Sequence, residues 1–206
     1  MKAIIASVIY FVAVIVIAHF FAPPGYRWTR NTVSDLAAQG LKYQWIMQAG
    51  FIGFGVLLNL GFILKFIDAR KVSYPDLLIM LYGLAILLSG FFSTAPFLEG
   101  VKYSEQESKL HSLFATVAGV CFTLGILIRL LTAVTPGERW LHIVFLILVM
   151  GISLTFGLAE NGTLALGKGI IQRSLYLISF GWLLISQLED IGFLGVLPSY
   201  LCIIRI

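Results

Sequence analysis

Asp35, Glu99 and His111 are the residues of this sequence best suited by type to acid–base chemistry. Two carboxylates can hold or release a proton, and an imidazole changes charge near neutrality. Arg30 and Arg173 add guanidinium groups, which pair with phosphate or carboxylate through a two-pronged fork. Asn31, Ser34 and Glu160 supply further hydrogen-bonding groups. These residues outline a catalytic set (Asp35, Glu99, His111) and a binding set (Arg30, Asn31, Ser34, Glu160, Arg173). The ligand that fits both is a lipid or a small amphiphilic anion. Ser34 beside Asp35 reads first as helix-capping chemistry and only second as a nucleophile. Adding His19 to Asp35, Glu99 and His111 gives nitrogen and oxygen donors, yet too few histidines for a hydrolytic metal centre, and no metal is expected.

The elements that must position these groups are set by composition. Of 206 residues, 59% are hydrophobic and 12% charged, and the mean hydropathy is +0.97. That balance excludes a water-soluble globule and a disordered chain alike. The net charge of +4 is scattered, so nucleic acid is not an expected partner. Cys121 and Cys202 form neither a CxxC pair nor a disulfide framework and read as buried thiols. Charge-free windows of about 20 residues mark membrane spans, because an ionised side chain at the bilayer centre costs about 2.5–3.5 kcal/mol. Six follow, at 3–21, 43–64, 76–97, 110–129, 140–160 and 170–187. The expected fold is an all-α membrane bundle, one transmembrane domain over 1–206. Loop 22–42 covers the bundle mouth and an interfacial tail occupies 188–206. The first window is too long for a signal peptide and reads as a retained helix.

Capping sequences support these limits. Ser73 to Asp76, Ser104 to Glu107 and Thr135 to Glu138 each place a hydroxyl three residues before an acid. Thr32 to Asp35 does the same ahead of a short helix at 36–39 that Gly40 closes. Asp76, Glu107 and Glu138 are thereby given structural roles. Ala49, Gly53, Gly83 and Gly90 permit close helix approach. Trp28, Trp45 and Trp140 fall where an interfacial belt would place them, and His142 is expected there too. No motif repeats between the two halves.

Six spans put both termini on one face, here face A. The fourteen basic residues divide evenly between the faces. Lys2 ahead of the first span, and the basic residues hugging the helix ends on face A, place that face in the cytoplasm. The unexplained polar residues gather on face B. Glu99 and Glu160 sit at helix carboxyl ends and Arg173 at an amino end, each opposed by the helix dipole. Mutual neutralisation, or a shared ligand, is the expected remedy, giving a pocket bounded by Asn31, Asp35, Glu99, His111 and Arg173.

Asn31-Thr32-Val33-Ser34-Asp35-Leu36 after the first span, Glu99 ahead of His111, and Gly167 with Gln172-Arg173 opening the sixth carry a family pattern. It resembles the prokaryotic membrane-protein family labelled domain of unknown function 998, over nearly the whole chain. Valine stands at 33 where that family usually has isoleucine, and alanine at 37 where it has glycine. The resemblance implies six membrane helices in a prokaryotic plasma membrane and lends weight to Asn31, Ser34, Asp35, His111 and Arg173. It implies no reaction and no cofactor. Two alternatives stand beside the lipid or amphiphile reading: a transporter or lipid-moving protein, and a non-catalytic scaffold or accessory subunit. The near absence of ionisable residues at the helix centres disfavours an ion path.

Overall fold

A computed structural model describes residues 2–189. Its helices are α1 (Lys2–Phe20), α2 (Gln44–Ala69), α3 (Tyr74–Phe91), α4 (Glu105–Thr132), α5 (Pro136–Glu160) and α6 (Lys168–Glu189), with one short 3-10 turn at Ser34–Ala37. Among the described residues there are six helices long and apolar enough to cross a membrane, and no strand. The apolar tail read at 188–206 lies, from residue 190 on, outside the described residues.

Each helix packs on the next in the chain, and α6 returns to α1. The centre is aromatic. Phe11 of α1 meets Phe54 of α2 at 5.1 Å, tilted, and Phe54 in turn meets Tyr82 of α3 and Phe180 of α6. Tyr82 meets Phe122 of α4 at 5.0 Å, and Phe122 meets Trp182 of α6 at 5.2 Å. Tilted and edge-on contacts at such spacings are the favoured geometries of aromatic rings. Close approach elsewhere depends on missing side chains. A methyl group at Gly53 would strike the Tyr10 ring, and one at Gly83 would strike Asn59 and Leu58. α5, packed against α4 and α6, is the least buried helix.

The structure corrects several expectations. α3 stops at Phe91 rather than near 97, because Phe92 turns extended and Pro96 follows a few residues later. A residue preceding proline is driven out of helical geometry, and here the exit comes slightly earlier. α2 runs past Lys65 to Ala69 and ends at Arg70, which holds a left-handed conformation (φ 50°). Of the capping sequences, Thr135–Glu138 forms the full reciprocal box. Ser104 accepts from the Glu107 backbone, but the Glu107 carboxylate goes elsewhere. Ser73 makes no side-chain cap.

Asp76 therefore has another employment. It is 3% exposed and lies between Lys65 Nζ at 2.7 Å and Arg129 Nη2 at 2.8 Å, tying α2, α3 and α4 together on face A. A carboxylate so deeply placed is tolerable only with such partners. His142 is likewise no surface anchor: it is buried and its Nδ1 accepts the Trp182 indole N–H at 3.2 Å. A buried indole usually finds such an acceptor.

Candidate functional site

Loop 21–42 lies across face B and is fastened there from three directions. Its own geometry comes first. Thr32 Oγ1 accepts from the Asp35 N–H at 3.1 Å, and Asp35 Oδ2 accepts from the Thr32 N–H at 2.7 Å. This reciprocal pair holds the turn at Ser34–Ala37, somewhat earlier than the short helix read at 36–39. Asn31 extends it, accepting from Arg27 N–H through Oδ1 and donating to Asp35 through Nδ2 at 3.4 Å.

The second fastening comes from α6. Gln172 Oε1 accepts from the Val33 N–H at 2.6 Å, and its amide reaches Ser34 Oγ at 3.4 Å. Arg173 Nη1 donates to the carbonyls of Trp28 (2.7 Å), Asn31 (3.0 Å) and Gly169 (2.9 Å). Its Nη2 donates to the Tyr26 hydroxyl at 2.6 Å and to His19 Nε2 at 2.9 Å. Four terminal N–H groups thus meet five acceptors. The amino end of α6 is treated the same way, Gly169 N–H and Ile170 N–H donating to the carbonyls of Arg30 and Thr29. Four successive loop carbonyls, 28 to 31, aim at one helix end and its arginine. They offset the unfavourable placing of a cation there.

This approach needs two glycines. A methyl group at Gly167 would fall within contact of the Thr29 carbonyl, and one at Gly169 within contact of the Trp28 and Asn31 carbonyls. Tyr26 is squeezed between burial, which raises the pKa of its hydroxyl, and the neighbouring Arg173 guanidinium, which lowers it; burial wins.

The third fastening joins the loop to α3 and α4. Gln39 is buried, donates to the Ser93 and Ser104 carbonyls at 3.0 Å each, and accepts from the Ser104 N–H at 2.8 Å. Glu107 accepts from the Ser93 N–H at 2.9 Å, and Ser108 accepts from the Ala95 N–H. His111, 4% exposed, places Nδ1 2.8 Å from the Ser89 carbonyl and 2.9 Å from that of Phe92. Both partners only accept, so this nitrogen donates. The ring caps the carboxyl end of α3, whose last carbonyls would otherwise be orphaned.

The sequence-derived candidates are therefore distributed. Asn31, Ser34, Asp35 and Arg173 come together in the loop clamp. His111 stands in the separate network with Gln39 and Glu107. Glu99 and Glu160 are exposed and make no ion pair among the described residues. The donors of Arg173 are satisfied by backbone oxygens, Tyr26 and His19 in place of those two carboxylates. No three metal-ligating side chains gather among the described residues. Tyr26 is a clamp residue that spacing alone does not disclose, whereas His19, read with Asp35, Glu99 and His111 as a nitrogen donor, accepts from Arg173. The glycines beside Lys168 were the available signal for the close approach of loop and helix.

Two concavities flank the clamp. One, about 300 Å³, is lined by Arg30, Ala159, Ala165, Leu166, Gly167 and Lys168. The side chains of Arg30 and Lys168 make no hydrogen bond or ion pair among the described residues. The other, about 240 Å³, lies between the end of α1, the Pro23-Pro24 turn and Leu36, with Lys42 and Tyr43 on its lining.

The model of one family, described as a protein of unknown function (DUF998), matches residues 4–188. No curated protein and no solved structure matches the chain.

Proposed function

The chain belongs to the DUF998 family of proteins of unknown function, and on that premise we propose that it binds an anionic amphiphile at face B. The headgroup sits in the cleft between Arg30 and Lys168. The observation that carries this reading is one cleft lined both by two cations, whose side chains make no hydrogen bond or ion pair among the described residues, and by the apolar Ala159, Ala165 and Leu166, at the mouth of a membrane bundle. A guanidinium and an ammonium suit a phosphate or carboxylate, and Ala165 and Leu166 suit the first methylenes below it. The role is binding without chemistry. Asp35, His111 and Arg173, the groups of the acid–base and anion-holding sets that lie inside the fold, are engaged there: Asp35 by Thr32 and Asn31, His111 through Nδ1 by the Ser89 and Phe92 carbonyls, and Arg173 by loop carbonyls, Tyr26 and His19. Arg30 and Lys168 take the binding role. The plasma membrane, with both termini cytoplasmic, is the setting that Lys2 and the helix-end basic residues of face A support.

The test is retention of lipid by the purified protein, measured by native mass spectrometry after equilibration with vesicles of mixed anionic and zwitterionic phospholipid. The parent retains the anionic lipid preferentially, and inorganic phosphate competes if the headgroup alone is recognised. Arg30→Gln with Lys168→Gln lowers that preference about tenfold, the scale of one charge-assisted hydrogen bond. Equal retention by parent and double variant would refute the reading.

A further inference from the structure

His19 lies one residue before the end of α1, with Nδ1 2.6 Å from the Ile15 carbonyl oxygen and Nε2 2.9 Å from Arg173 Nη2. A carbonyl only accepts, so Nδ1 carries the hydrogen. A guanidinium only donates, so Nε2 presents its lone pair. The closed clamp thus admits one form of this ring, the neutral imidazole in a single tautomer. The other groups facing it are Tyr26 of the loop, edge-on at 5.6 Å, and Arg173 of α6. Beyond these, Tyr176, one turn further along α6, bears electrostatically on Arg173, and Asp35 of the loop bears on Tyr26. α1 contributes no other ionisable group at this end.

From this geometry we infer that His19 is a proton-sensitive latch for loop 21–42. A proton added at Nε2 converts an accepted hydrogen bond into two donors facing each other, both carrying positive charge. The two like charges push the Arg173 guanidinium from its seat, so its bonds to the Tyr26 hydroxyl and to the Trp28 and Asn31 carbonyls stretch and the loop loosens from α6. Histidine is the side chain whose charge changes in the mildly acidic range. The inference stands apart from the anion reading, because it concerns the loop whether or not a ligand is present.

The test reads loop opening directly. Val33 is fully buried, so Val33→Cys, in a background of Cys121→Ser and Cys202→Ser, reports exposure through its rate of modification by a maleimide. Thr163→Cys, at an exposed position, corrects for the chemistry of the thiol at each pH. On passing from neutral to mildly acidic pH, the ratio of the two rates rises about tenfold, the consequence of losing one charge-assisted hydrogen bond. In His19→Gln, whose amide oxygen accepts from Arg173 but does not titrate, the ratio stays flat. A flat ratio in the parent, or the same rise in His19→Gln, overturns the inference. Should Val33→Cys fail to fold, the unfolding midpoints of the parent and His19→Gln serve instead. The parent's midpoint falls relative to that of His19→Gln with acidification if the latch exists, and the difference is constant with pH if it does not.

Discussion

Gly169→Ala separates the clamp from ordinary helix energetics by sign. Alanine in place of glycine within a helix is normally favourable by up to about 1 kcal/mol, because it restricts the unfolded chain. At 169 the new methyl group would fall inside contact distance of the Trp28 and Asn31 carbonyl oxygens and 3.0 Å from Arg173 Nη1. The obstacles are backbone atoms, so relief requires the loop to lift. Lifting stretches two hydrogen bonds to the guanidinium, now 2.7 and 3.0 Å, each worth about 1.5–3 kcal/mol. The net expectation is a loss of about 2–5 kcal/mol once the helix gain is subtracted. Gly119→Ala in α4 is the matched control, since a methyl group there meets nothing within 4 Å. Thermal unfolding of the purified protein in one detergent gives both answers. The midpoint of Gly119→Ala stays level or rises, and that of Gly169→Ala falls. A rise for both would refute the claim that loop carbonyls press on α6.

Two further outcomes follow from groups on opposite faces. Asp76→Asn keeps the shape but strips the negative charge from between Lys65 and Arg129; it lowers stability by about 3–5 kcal/mol, as breaking a buried ion pair does, and denaturant titration checks this against the parent. The Tyr26 hydroxyl, its pKa raised above the ordinary tyrosine value of 10.0 by burial, ionises after the exposed tyrosines when phenolate absorbance of the parent is compared with that of Tyr26→Phe. Raised acid pKa values stabilise below the unfolded value, so this contribution is complete at neutral pH and disappears as pH climbs through the raised value. Ionisation of Tyr26 together with the exposed tyrosines would contradict the burial described.

The spans were readable because a bilayer punishes charge uniformly, and the chain advertises its crossings by leaving charge out. Local signals also worked where both partners lie within one turn, as at Thr135–Glu138 and Thr32–Asp35. Long-range partners were hidden. The end of α3 depends on His111, Glu107 and Gln39, contributed by α4 and the first loop, so an apolar run continuing through Phe97 and Leu98 misleads. Asp76 had a plausible local explanation that concealed two distant cations. For Arg173 the dipole argument correctly demanded compensation, but the compensating atoms are main-chain oxygens, and these belong to every residue and distinguish none. The glycines at 167 and 169 were the readable trace of that arrangement.

The tie between the first loop and α6 also sets an order of assembly. The carbonyls of residues 28 to 31 leave the ribosome early, whereas the groups that satisfy them arrive only with residues 169 to 173. Until that last hairpin partner is delivered, the entrance segment has no anchor on α6, while the Asp76 cross-brace can already close once α4 is in place. Biogenesis of this bundle therefore proceeds from face A inward, with the opposite mouth shut as its final act.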